Sequence, residues 1–176
     1  MSQDHDDERC EVCGFVYDLS SAGRAGDEIV AGAERLAVVV EMDVANLTQR
    51  PAPQTWSTLE YVCHVRDVLL VQRERVLLAR RAERPPLVPM GRDERVDHDG
   101  YNEQSPADVV RQLTDAALLF AGVLARLDDA GWNRTVLYNY PEPTERDLRW
   151  LAVHTRHEVQ HHLLDVDAQI NVREED

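Results

Sequence analysis

Apolar residues recur at helical spacing over residues 27–48 (Ile29, Val30, Ala33, Leu36, Ala37, Val40, Val44, Leu47), and Pro51 and Pro53 end the run. A second helix opens on Ser57-Thr58-Leu59-Glu60, which reads as a capping box: the serine hydroxyl accepts from the N3 amide while the glutamate reaches back, and apolar positions continue to about Ala82. Ser105 as N-cap, Pro106 at the first helical position and Asp108 near the positive end start a third, which runs to about Leu127. Thr144 reads as the cap of a fourth, with Asp147 in its first turn and Leu148, Leu151, Val159, Leu163, Val166 and Ile170 along one face. Between the second and third helices, residues 85–104 carry three prolines and two glycines; before the fourth, residues 131–143 hold Trp132, Tyr138, Tyr140 and a β-like run over Thr135, Val136, Leu137 and Tyr138. The pattern predicts an all-α fold, a four-helix bundle with two long connections, as a single domain over residues 1–176.

Composition narrows the partners. With 33 Asp+Glu against 19 Lys+Arg the formal charge is −14, which argues against binding the phosphates of nucleic acid. Every basic residue is arginine, so Schiff-base chemistry and a P-loop lysine are excluded. The acidic start MSQDHDDERC lacks the basic end and apolar run of a signal peptide, and no apolar stretch reaches the ~20 residues of a membrane span, so a cytoplasmic protein without membrane contact is expected.

The chemistry is concentrated in histidines. His64 lies in the second helix, and His154, His157, His161 and His162 lie in the fourth. Residues 157–161 read literally as HExxH, the zinc-peptidase pattern in which His157 and His161 bind metal and Glu158 is the base. A helical wheel at about 100° per residue separates them: Glu158 and His162 fall toward the arc of Leu148, Thr155, Val159, Leu163 and Val166, while His157 lies nearly opposite and His161 to the side. Glu158 and His162 are one turn apart and would hold one metal with His64 as a third ligand. Asp165 and Asp67 are placed to orient ligand histidines from behind, although a solvated acid is as good a reading of each. Arg66 and Arg156 read as exposed salt-bridge partners or as holders of a ligand carboxylate. His5 and His98 read as solvated loop residues, and Cys63 as a small buried hydrophobe.

At the N-terminus, Cys10-Glu11-Val12-Cys13-Gly14 looks like half a zinc knuckle. His157 and His161 would complete two thiolates with two imidazoles, docking residues 1–26 on the outer face of the fourth helix as a second, structural zinc site. Phe15, Val16 and Tyr17 after the knuckle, and Trp150, Val153 and Leu164 on the side of the helix away from the core, suit that docking. A redox pair, a disulfide, or a four-cysteine site shared across a homodimer are the other readings.

Two stretches carry a family resemblance: Trp56-Ser57-x-x-Glu60-x-x-x-His64-x-x-Asp67, and Glu158-x-x-x-His162-x-x-Asp165-Val166. Across nearly the whole chain the sequence resembles the DinB-like superfamily of metal-binding four-helix bundles, which includes mycothiol-dependent maleylpyruvate isomerase and thiol S-transferases. The His, Glu and His pattern of the mycothiol-dependent type maps onto His64, Glu158 and His162. The resemblance implies a divalent metal, zinc foremost with nickel or iron as alternatives, and a low-molecular-weight thiol, mycothiol-like, attacking an electrophilic substrate by S-transfer or isomerisation. Two further classes are carried forward: a metal-dependent hydrolase of the HExxH type, and a non-catalytic stress or binding module that keeps its metal for structure only.

Overall fold

The structure, a computed structural model, describes residues 9–42, 46–139 and 142–174, the last four for their backbone only. Four long helices build it: α1 (Ala25–Met42), α2 (Thr58–Arg81), α4 (Pro106–Leu124) and α6 (Leu148–Glu174), with short helices α3 (Arg92–His98) and α5 (Asp129–Trp132) in the connections. Each long helix forms because one stripe is apolar and finds a partner. On α1 the stripe is Ile29, Ala33, Leu36 and Val40; on α4 it is Val109, Leu113, Ala116, Ala117, Phe120 and Leu124, all buried. α1 and α2 each pack on both α4 and α6 but scarcely on one another, so consecutive helices α1 and α2 sit on a diagonal of the bundle. That arrangement puts α2 beside α6. No described helix is long and apolar enough to cross a membrane.

The capping box of α2 forms as predicted: Ser57 accepts from the Glu60 amide and Glu60 Oε2 accepts from the Ser57 amide at 2.7 Å. Elsewhere boundaries differ. α1 ends at Met42, short of residue 48, because Leu47 is buried from a turn, where its carbonyl accepts the Leu59 amide at 2.9 Å, rather than from a helix. α4 stops at Leu124 rather than Leu127. α6 starts at Leu148, and its cap is Asp147, which accepts from the Trp150 amide at 2.8 Å, not Thr144. Thr144 instead opens β2 (Thr144–Asp147), antiparallel to β1 (Thr135–Tyr138), the run read from the sequence as strand-like. The connection 85–104 is not structureless: α3 and a 3-10 turn, Tyr101–Glu103, fold onto α2 through the buried Val96 and Tyr101.

Residues 9–17 make a small hairpin ahead of a 3-10 helix, Leu19–Arg24, that lies on α6. It covers the side of α6 turned away from the bundle, so Trp150 and Val153 are buried there, whereas Leu164 stays half exposed. Tyr17 stacks on Trp150 with ring centroids 6.0 Å apart. Both arginines read as exposed are buried instead. Arg156 donates to Ser21 Oγ and Glu28 Oε2 at 3.0 and 2.9 Å, and Arg66 to Asp67, Gln104 and Gln112. His98 is exposed, at the end of α3 rather than in a loop; His5 and Tyr140 lie outside the described residues.

Candidate metal centre

His64 stands two turns into α2, where the capping box has already set the helix's start, and it is 2 % exposed. Across from it, α6 presents His154, Glu158 and His162 at successive four-residue steps, hence in one row along the helix. Glu158 is the hub of this row. Its Oε2 lies 4.0 Å from His64 Nε2 and 3.8 Å from His162 Nε2, and its Oε1 lies 4.0 Å from His154 Nε2. Asp165 Oδ2 sits 2.9 Å from His162 Nδ1, which holds that ring with Nε2 toward Glu158. Aromatic neighbours wall the group, Trp56 against His64 at 5.1 Å and Tyr61 against His162 at 5.3 Å between ring centroids.

Those separations test whether a metal fits. At 3.8–4.0 Å the nitrogens and the carboxylate oxygen are too far apart to hydrogen-bond, and close to the ~3.3 Å edge of a tetrahedron with bonds of about 2.0–2.1 Å. They surround a gap rather than bond across it, and two imidazoles with a carboxylate suit zinc and other divalent transition metals. Electrostatics agree. Burial pushes the Glu158 carboxyl up, but the imidazoles of His64, His154 and His162 outweigh it and hold its pKa at about 2, so it is anionic. Burial lowers the pKa of His64 from its ordinary value, favouring the neutral imidazole that metal binding requires. His64 Nε2 faces Glu158 and is the nitrogen turned to the group, while its Nδ1 is buried with no hydrogen-bond partner among the described residues.

The HExxH stretch is divided between two faces. His157 and His161 turn away from His64 and, with Cys10 and Cys13, form a second set whose ligand atoms lie within 4.8 Å of one another. In the HExxH pattern the two histidines hold the ion and the glutamate is the base; here His157 and His161 share a group with the two cysteines, while Glu158 groups with His64 and His162 and, separately, with His154 and His157. Cys10 Sγ is 3.8 Å from His161 Nδ1. The backbone amide of Cys13 beside the Cys10 sulfur brings that thiol down to about 7, while burial pushes the Cys13 thiol up. Cys63 is buried elsewhere, near the Tyr101 carbonyl and Gln104, and burial raises its thiol to about 12.

Asp67 is not behind His64. Its carboxylate accepts from Arg66 Nε at 2.8 Å, Arg95 at 3.1 Å and the Tyr101 hydroxyl at 2.8 Å, so it ties α3 and the following turn to α2. A surface cleft of about 490 Å³ lies beside Asp67, lined by Arg66, Asp67, Arg95 and Gln112, and no histidine is in its lining. Tyr17, expected only to help dock the N-terminal segment, and His154, expected at neither site in particular, both belong to the region. Tyr17 Oη lies 2.8 Å from both His154 Nδ1 and His157 Nδ1, bridging the two clusters, and His154 stacks on Trp150 at 4.5 Å while facing Glu158. The spacing of His154 four residues before Glu158 was a visible signal; the bridging hydroxyl, 137 and 140 residues away in sequence, left none.

Fold and site together define a four-helix bundle whose second and last long helices face a histidine–carboxylate cluster. The DinB superfamily model matches residues 30–166, and the chain belongs to that superfamily. Among solved structures it is similar to YfiT from Bacillus subtilis, described as a probable metal-dependent hydrolase with an unusual four-helix bundle topology; the TM-score is 0.72 at 15 % identity, covering 86 % of this chain and 89 % of that one. No curated protein matches the chain.

Proposed function

We propose that the protein is a metal-dependent enzyme that holds a divalent ion, zinc foremost, on His64, Glu158 and His162 and uses a low-molecular-weight thiol in S-transfer or isomerisation. The observation that carries the metal is Glu158, whose two oxygens face three imidazoles at about 4 Å, longer than a hydrogen bond and near the spacing of ligand atoms around one ion. Two histidines and one carboxylate leave a fourth position for an exogenous ligand. An ion there supplies Lewis acidity, which lowers the pKa of a thiol or water placed beside it.

The chain's own residues do the rest. Asp165 holds the tautomer of His162, and the anionic Glu158 offsets the charge of the ion. Trp56 and Tyr61 pack their rings against the His64 and His162 imidazoles and help fix their orientation. No cysteine of the chain is placed to act as nucleophile there: Cys63 is buried on another face and Cys10 and Cys13 lie beyond α6, so a thiol would come from outside. The resemblance to mycothiol-dependent isomerases favours such a thiol. A second reading, hydrolysis by metal-activated water at the same three ligands, is favoured by the description given to YfiT.

The test compares the parent with Glu158→Gln. If Glu158 is a ligand, the variant binds metal at this site more than about 100-fold more weakly, beyond what losing a group behind the ligands costs. If it is only a base, affinity is unchanged and the assignment fails. Consumption of a small thiol with a chromogenic electrophile should require the metal and be lost in Glu158→Gln. Turnover of an ester with no thiol present would select the hydrolytic reading.

A further inference from the structure

We infer that Cys10, Cys13, His157 and His161 form a second, structural zinc site that clamps the N-terminal hairpin to the outer face of α6. It shares no ligand with the proposed site on His64, Glu158 and His162. The hairpin is held by its own backbone. Arg9 and Val16 pair across it, the Cys10 amide donates to the Phe15 carbonyl at 2.9 Å and the Gly14 amide to the Cys10 carbonyl at 2.9 Å. Gly14 has φ +73°, a conformation glycine adopts without strain, and a Cβ there would meet Arg9 at 3.2 Å. This tight turn presents two sulfurs to α6 but has little core of its own: Val12 is exposed, and Phe15 and Tyr17 are its apolar anchors, on His157 and Trp150.

The helix side is prepared for the same ion. His157 and His161 are one turn apart on the face the hairpin covers. His157 Nδ1 is engaged by the Tyr17 hydroxyl at 2.8 Å, which assigns Nε2 to a metal. His161 turns Nδ1 to Cys10 Sγ, 3.8 Å away, with Nε2 on the side of Asp165. A zinc tetrahedron with bonds of about 2.3 Å to sulfur and 2.0–2.1 Å to nitrogen has sulfur–nitrogen edges of about 3.6 Å, so little movement is needed. All four ligand atoms already lie within 4.8 Å of one another. His157 thus has the partner behind the ring that ligand histidines ordinarily have.

Proton bookkeeping closes. On binding Zn²⁺ the two thiols give up two protons to solvent, and two thiolates with two neutral imidazoles leave the centre uncharged. With all four positions taken by protein, this ion has no place for a substrate, which marks it as structural. It also sets the hydrogen bonds beyond it. Zinc on His157 Nε2 puts the proton on Nδ1, which donates to Tyr17 Oη; the Tyr17 hydroxyl then donates to His154 Nδ1, and His154 Nε2–H is turned to Glu158.

The test uses the full chain loaded with cobalt(II). The cluster around Glu158 contains no sulfur, so a thiolate-to-cobalt charge-transfer band in the near ultraviolet reports this site alone. It should appear at one equivalent per chain, persist in Glu158→Gln, and vanish in Cys10→Ser/Cys13→Ser. As a readout that needs no variant, zinc should protect Cys10 and Cys13 from maleimide alkylation mapped by mass spectrometry, and a chelator should remove that protection, while Cys63 stays protected in both states. Absence of the band, its survival in the double variant, or equal alkylation with and without zinc would overturn the site. A missing sulfur-free metal alongside an intact band would instead count against the proposed catalytic centre.

Discussion

Glu60 shows how one side chain sets the register on which the site depends. It is 3 % exposed, accepts from the Ser57 amide at 2.7 Å and from Arg50 Nε at 2.8 Å, and stands one turn before His64. Burial raises its pKa, but the Arg50 guanidinium and the Ser57 amide outweigh burial and hold it below the ordinary 4.5. A carboxyl with a depressed folded-state pKa stabilises the fold above its unfolded value, and that stability is lost as pH falls through the folded value. Glu60→Gln keeps an amide oxygen for the Ser57 amide but gives up the charge-assisted pair with Arg50, so it should cost about 1–2 kcal/mol at pH 7. Denaturant titrations of parent and variant should converge as pH falls below 4.5. A gap that stays constant down to pH 3 would show that shape rather than charge carries the effect.

Among elements, the approach of α1 to α6 is the tightest constraint. A Cβ at Gly32 would lie 2.6 Å from Val159 Cγ1, next in sequence to Glu158, whereas one at Gly23 meets nothing within 4 Å. Alanine is favoured over glycine within a helix by about 1 kcal/mol, but overpacking a fixed core costs about 1–3 kcal/mol, so the clash should win at Gly32. Gly32→Ala should lower the denaturation midpoint while Gly23→Ala leaves it unchanged or slightly higher; equal effects would show that α6 yields. Element by element, what was legible followed from local chemistry. The Ser57–Glu60 box marked the start of α2, and β-branched residues marked β1. β2 was hidden because Thr144, Glu145, Arg146 and Asp147 are polar and form a strand only by pairing with β1. The wheel separated Glu158 and His162 from His157 and His161, since one helix sets those directions. Asp67 was misplaced because the arginines and tyrosine that claim its carboxylate arrive from a connection with no periodic signal.

For the whole molecule, the placement of α1 and α2 on a diagonal makes α2 a neighbour of α6, and that brings His64 to the row on α6. The same compactness concentrates charge. A formal −14, from 33 acids against 19 bases, is held in one bundle, and all 19 bases are arginines. Several of those arginines pair on the surface, as in Arg35–Asp167, Arg84–Glu145 and Arg111–Asp108. Such exposed pairs contribute about 0–1 kcal/mol each and weaken with salt, whereas mutual repulsion among the unpaired acids opposes folding and is also screened by salt. The two effects have opposite signs, and the excess of acids decides between them. Raising sodium chloride from about 20 mM to about 300 mM shortens the screening length from roughly 20 Å to under 10 Å, which removes more repulsion than attraction. The melting temperature of metal-loaded protein should then rise by about 2–4 °C for each kcal/mol gained. A fall over the same range would mean that the arginine pairs, and not the net charge, dominate the electrostatics of the fold.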